Sequence, residues 1–163
     1  MISYLCEKCI NMAKIILIGE NMNFWFWVAK KDAIIGQEGY WGDCGPDVKP
    51  GDVCLIYHKS PKSYIEEIAL VTSKPSPDCP IETQKGLTIY GHCCKYEIIH
   101  EFIYPLLYRE MKANSILSDW ISSNSNLQGM YFSVDDLSWS LIDERLKEKN
   151  EDYSGYKALI SYY

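Results

Sequence analysis

The sequence predicts an α+β domain, a small, partly closed mixed β-barrel of five to six strands with short helices at its rim. Three observations predict it. Short apolar runs rich in Val, Ile, Tyr, Phe and Trp, punctuated by Pro- and Gly-bearing turns, fill the first two-thirds of the chain. The apolar period then lengthens towards that of a helix. The length, 163 residues, suits one domain and hardly two.

Residues 1–22 read as an N-terminal extension, in which Lys14-Ile15-Ile16-Leu17-Ile18-Gly19 is either a strand or an apolar helix end. Phe24-Trp25-Phe26-Trp27-Val28-Ala29 is the first clear strand. Successive side chains point to opposite faces, so Trp25 and Trp27 share one face and Phe24, Phe26 and Val28 the other. Both faces are bulky, so both are expected to be covered. Lys30-Lys31-Asp32 ends this strand.

Residues 36–51 read as a loop rich in Gly, with Trp41 in its middle. Lys49-Pro50-Gly51-Asp52 is a turn with Pro and Gly where a type II turn favours them. Strands are expected at residues 53–58 and 64–72, paired antiparallel. Residues 73–85 hold three Pro and read as irregular, and residues 87–102 as a strand with a break. Short helices are expected at 104–111 and 116–121, and a last strand at 130–134. Ser133-Val134-Asp135-Asp136 resembles a capping box. It opens a helix whose apolar face is Leu137, Leu141, Ile142 and Leu146. Residues 150–163 form a tail with apolar anchors that pack back. The domain proper is expected to span residues 23–149.

The net charge of −6 argues against a protein that holds duplex nucleic acid mainly through phosphates. No apolar stretch approaches the roughly 20 residues of a membrane span, and the first residues do not read as a signal peptide. The expectation is a cytoplasmic protein with no membrane contact. Seven Cys, odd in number and unevenly spaced, argue for free thiols rather than a disulfide scaffold. Cys54 reads as a small hydrophobe in an apolar strand. Cys6-x-x-Cys9 is half of a zinc pattern that His92, Cys93 and Cys94 could complete, but free thiols are the favoured reading. No phosphate loop, Gly-x-Ser-x-Gly or His-Glu-x-x-His is present, so no catalytic residue is assigned and no cofactor is expected.

Four motifs occur in a particular order: Phe24-Trp25-Phe26-Trp27-Val28, Tyr40-Trp41-Gly42, Lys49-Pro50-Gly51-Asp52 and Leu55-Ile56-Tyr57-His58. With Ile68-Ala69-Leu70-Val71-Thr72 and Gln128-Gly129-Met130 after them, the chain resembles the EVE domain family over roughly residues 23–147. That family belongs to the PUA-like superfamily, with the YTH readers of N6-methyladenine and the ASCH domains. The sequence departs from the pattern twice. It has no Arg in Leu127-Gln128-Gly129-Met130, and Ile65-Glu66-Glu67-Ile68 stands where a Val-Gly step is frequent.

The resemblance implies a PUA-like fold and non-enzymatic recognition of a modified nucleobase in DNA or RNA, flipped into an aromatic pocket. Stacking on an aromatic side chain is worth about 1–3 kcal/mol per base. Trp41 would be the pocket wall. Trp25 and Trp27 are further candidates, with core packing as the alternative role. Lys30 and Lys31 would offer polar groups, Ile98 the opposite wall, and Gln128 an amide for the base edge. The implied partner is nucleic acid carrying a modified base, with or without a larger restriction-type or RNA-processing assembly. Two other readings stay open: an RNA-binding module of PUA or ASCH type, and a small hydrolase of nucleoside-like substrates.

Overall fold

The computed structural model describes residues 22–83 and 85–162. The apolar run at residues 14–19, Cys6 and Cys9 lie outside them. The described chain is α+β: one mixed seven-stranded sheet and four short helices. The strands are β1 (Phe24–Ala29), β2 (Glu38–Gly42), β3 (Val53–His58), β4 (Tyr64–Val71), β5 (Ser76–Glu82), β6 (Thr88–Leu107) and β7 (Tyr131–Val134). Their order is β2-β6-β4-β3-β1-β7, with β5 paired to β6 off this path, so the curved sheet does not close. Strand β1 runs parallel to β3 and antiparallel to β7. The helices are α1 (Tyr108–Ala113), α2 (Ser115–Ser123), α3 (Asp136–Lys149) and α4 (Tyr156–Ile160).

Alternation along β1 divides the interior into two cores. Phe26 and Val28 join Val53, Leu55, Ile68, Trp120, Trp139, Ile142 and Leu146 between the sheet and the helices. Trp25, Trp27 and Ala29 join Trp41, Cys54, Ile56, Ala69, Tyr96 and Ile98 on the concave side. The two-faced burial that the sequence predicts for β1 is therefore found, and Cys54 is fully buried.

The Lys-Pro-Gly-Asp turn sets where β1 and β3 begin. Gly51 has φ of 91°, a left-handed conformation that costs glycine little. Asp52 is then carried inside. Its carboxylate accepts from the Asn23 and Lys49 N–H groups at 3.0 Å and from the Trp25 indole at 2.8 Å. Lys49 Nζ lies 3.3 Å from the same carboxylate. A buried charge is tolerated because every donor near it is aimed at it.

Several expectations are corrected. Residues 38–42 are not loop but strand β2, paired with β6. Its glycines permit close approach: a Cβ on Gly39 would sit 3.5 Å from the Tyr96 ring, and one on Gly42 3.6 Å from Ile81. Residues 76–82 form β5, where Pro77 and Pro80 are tolerated because, among the described residues, the strand pairs on one side only. Strand β6 continues through the residues expected to start a helix and ends at Leu107. There the Glu110 carboxylate accepts the Leu107 N–H at 2.9 Å. Helix α3 is capped by Asp135, not Ser133: Asp135 accepts from the Ser138 N–H and Oγ, both at 2.8 Å. The shift buries Trp139 and leaves Leu137 exposed.

The expectation of free thiols fails at one pair. Cys79 and Cys93 form a disulfide that ties β5 to β6, which removes Cys93 from any zinc set with Cys94. Beyond α3, Tyr153 is buried in the helix-side core. No helix among the described residues is long and apolar enough to cross a membrane.

Candidate nucleic-acid interface

Two cavities flank the C-terminal end of β1, where Ala29 is followed by Lys30 and Lys31. The first, about 320 Å³, lies on the concave side between β1, β2, β5 and β6. Trp41 and Tyr96 form its aromatic wall, Pro80, Ile81 and Glu82 its β5 side, and Lys30 its mouth. Lys30 Nζ lies 3.3 Å from the Glu82 carboxylate, which bridges β1 to β5. Ile34, 97% exposed, stands at the rim.

Burial and stacking fix the wall. The Trp41 ring is stacked on Trp27 with centroids 4.9 Å apart. Tyr96 meets both indoles edge-on, at 6.4 Å from Trp27 and 5.8 Å from Trp41. The Tyr96 hydroxyl donates to the Gly36 carbonyl at 3.2 Å. Burial pushes this phenol's pKa above its ordinary value, so it stays a neutral donor at neutral pH. The segment from Gly36 is held by a reciprocal pair: the Ile98 N–H donates to the Gln37 carbonyl, and Gln37 Nε2 donates to the Ile98 carbonyl. This pair places the rim without using side chains that line the cavity, and of these bonds only that of the Tyr96 hydroxyl comes from the wall.

The second cavity, about 590 Å³, is lined by Lys31, Tyr57, Lys59, Ser60, Ser63, Tyr108 and the turn carrying Asn126, Leu127 and Gln128. Both volumes lie in the usual range of small-molecule sites, about 300–1,000 Å³. Burial pushes the Tyr57 hydroxyl pKa up and the Lys59 ammonium pKa down. Ser125, Asn126 and Leu127 have φ of 53°, 52° and 61°. Three successive non-glycine residues in left-handed conformation cost about 1–2 kcal/mol each. Such strain is retained where surroundings over-determine the backbone, and here it sets the direction of Gln128.

The structure thus divides the residues singled out from sequence. Trp41 and Lys30 line the first cavity, and Lys31 and Gln128 the second. The neighbouring lysines diverge where the chain leaves β1 for a turn, closed by the Ala33 N–H donating to the Lys30 carbonyl at 3.1 Å. Trp27 and Ile98 are buried in the core that Trp41 joins, and neither lines either of these two cavities. Trp25 lies towards the other end of β1, bonded to Asp52. Sequence reasoning missed Tyr96, Ile81 and Glu82, because β5 had been read as irregular and Tyr96 as one more strand aromatic. It also missed Tyr57 and Tyr108, whose rings lie 6.5 Å apart beside Lys31. A still larger groove, about 770 Å³, lies beside α3 and α4 and carries none of the residues singled out.

The same architecture is found in solved structures. Rpa0253 from Rhodopseudomonas palustris superposes with a TM-score of 0.61 at 17% identity, over 78% of this chain and 93% of that one. A hypothetical protein from Leishmania major gives 0.61 at 12% identity, over 78% and 96%. Human THYN1, solved in complex with 5-methylcytosine-containing DNA, gives 0.53 at 8% identity, over 78% and 97%. No curated protein sequence matches the chain. These likenesses define the fold, an α+β sheet of PUA-like type. The sequence profile of the EVE domain matches residues 43–145, and the chain belongs to the EVE domain family.

Proposed function

We propose that this EVE domain recognises a modified nucleobase in DNA or RNA without catalysing a reaction on it. The observation that carries the reading is the first cavity: an aromatic wall of Trp41 and Tyr96 with a lysine at its mouth, of a size for one flat ring. In this reading the base is flipped out of its strand and its face stacks on the wall, replacing the neighbours it has lost. Trp25, Trp27 and Ile98 hold the wall rather than touch the guest. Lys30 and Lys31 meet flanking phosphates, and Gln128, in the second cavity, offers its amide to an adjacent nucleotide rather than to the flipped base. THYN1, which shares the fold, was solved with 5-methylcytosine-containing DNA, and that supports a nucleic-acid guest.

The net charge is −6 and the lysines lining the two cavities are few, Lys30, Lys31 and Lys59, so few phosphates are neutralised and affinity should fall only shallowly with salt. A restriction-type or RNA-processing partner would supply further backbone contacts, and the cytoplasm is the compartment this reading places it in.

The test is a titration of the full chain against short single- and double-stranded oligonucleotides, DNA and RNA, carrying 5-methylcytosine, 5-hydroxymethylcytosine or N6-methyladenine, with unmodified controls. The variants are Trp41→Phe, Lys30→Ala and Gln128→Ala. The expected result is one modification bound at least tenfold tighter, about 1.4 kcal/mol, with that preference reduced by Trp41→Phe. Equal binding of modified and unmodified strands by folded protein overturns the proposal.

A further inference from the structure

Beside the two cavities but lining neither, β3 and β4 bring together three side chains that the proposed function does not use. His58 ends β3, continuing the inward alternation of Cys54 and Ile56. Its Nε2 lies 2.7 Å from a Glu67 carboxylate oxygen and 3.5 Å from one of Glu66. One ligand atom from each of the three lies within 4.8 Å of the other two. None of the three lines either cavity described above.

Two consecutive residues on a regular strand point to opposite faces. Here they do not, and the reason is a bulge. Ile56 pairs with Glu67 and Tyr57 with Ile65, which leaves Glu66 as an extra residue. Ile65 and Ile68 both enter the helix-side core, although they are three residues apart. Glu66 and Glu67 are displaced together to the other side, facing one imidazole. Bulges that re-aim side chains in this way are concentrated near functional sites.

The charges are unbalanced. His58 and Glu67 are both buried, whereas Glu66 is only half-buried. Two carboxylates face a single imidazole, so one ring cannot balance both whichever state it takes. The nearest lysine among the described residues' ion pairs is Lys62, 3.7 Å from Glu66, on an exposed side chain whose pairing contributes little. A buried carboxylate in this setting calls for a compensating cation.

We propose that His58, Glu66 and Glu67 bind a divalent transition-metal ion. One imidazole and two carboxylates form a donor set suited to Zn²⁺, Co²⁺ or Mn²⁺ rather than to Ca²⁺ or a soft ion. Bonds of about 2.0–2.2 Å in a tetrahedron hold ligand atoms about 3.3–3.6 Å apart. The 3.5 Å contact already matches that spacing, and the 2.7 Å contact opens when a metal replaces the bridging proton. Glu66, at the exposed edge of the set, leaves the fourth position open to water. The ion would clamp β3 to β4 beside the Tyr64 end of the pair.

The test uses the untagged full chain stripped with chelator and titrated with Zn²⁺ and, separately, Co²⁺. The expected result is one equivalent bound at a micromolar or lower dissociation constant, with a raised melting temperature that chelator reverses. The Co²⁺ spectrum is expected to show ligand-field bands without an intense thiolate charge-transfer band. Glu66→Gln, which removes the most exposed ligand and should fold normally by circular dichroism, is expected to weaken binding at least tenfold. Glu67→Gln and His58→Asn should weaken it further where they fold. Unchanged affinity in folded Glu66→Gln overturns the site. So does a thiolate band, which would place the ion on cysteines. Neither readout involves nucleic acid, so the outcome is independent of the base-recognition proposal.

Discussion

The indole of Trp41 lies on that of Trp27, planes 17° from parallel, so one ring serves two surfaces. One face of the ring packs on Trp27 in the concave core while the side chain also lines the cavity, and it is only 8% exposed. Trp41→Ala should therefore destabilise the fold by about 3–5 kcal/mol, the usual cost of truncating a buried aromatic. Urea unfolding measures it. Loss of ligand binding in that variant would not separate wall from core, whereas Trp41→Phe keeps a ring in place. A loss below about 1 kcal/mol for Trp41→Ala would show that the stack contributes little.

Asp52 predicts a second sensitivity. Asp52→Ala strands the Trp25 indole N–H and the Asn23 and Lys49 N–H groups. Removing one partner of a buried ionic network typically costs about 3–5 kcal/mol. Chemical denaturation is expected to show a loss in that range, with Trp25→Phe losing less, because only one donor goes with it.

The Cys79–Cys93 disulfide encloses a short loop, separation 14 residues. A loop of that length is worth about 3 kcal/mol in the chain-entropy account. Cys79→Ser should lower stability by up to that amount. Hydrogen exchange should quicken in β5 far more than in β1 or β3, because among the described residues β5 pairs with β6 alone. Uniform quickening would contradict this.

Alkaline pH should weaken the packing of the C-terminal tail. Tyr153 is buried and its hydroxyl donates to Asp143. Burial first, then the neighbouring carboxylate, pushes the phenol's pKa well above its ordinary value. A folded-state pKa above the unfolded one means that stability is intact below about pH 10 and is lost as pH rises beyond it. The unfolding midpoint of the wild type is expected to fall above pH 10. Tyr153→Phe, less stable at neutral pH by about 1.5–3 kcal/mol for the lost bond to a charged group, should fall less steeply.

The sequence made β1, β3 and β4 legible because alternation and the Pro-Gly turn act locally. It hid β2 and β5 because glycine and proline read as loop, whereas here they permit a close approach to Tyr96 and an unpaired strand edge. The start of α3 was misplaced by two residues since Ser133 and Asp135 carry the same capping chemistry, and only β7 pairing decides between them. Trp41 and Lys30, which the family motifs single out, line the first cavity. Tyr96 and Glu82 could not be singled out that way, because their place at the cavity depends on β2 and β5 folding over β6. The contact of His58 with both Glu66 and Glu67 depends on a bulge, and no local pattern announces one.

The parallel and antiparallel neighbours of β1 have a consequence for the chain's history. Trp27 pairs with Ile56 on one side and with Tyr131 on the other. A nascent chain emerges from its N-terminal end, so Phe24-Trp25-Phe26-Trp27-Val28 is made long before β7 exists. This window is apolar, aromatic and uncharged, the composition that pairs most readily with copies of itself. The hazard for this protein therefore lies in time: in the interval between synthesis of Phe24 and arrival of Val134, when slow growth or a chaperone protects it better than any contact in the finished fold.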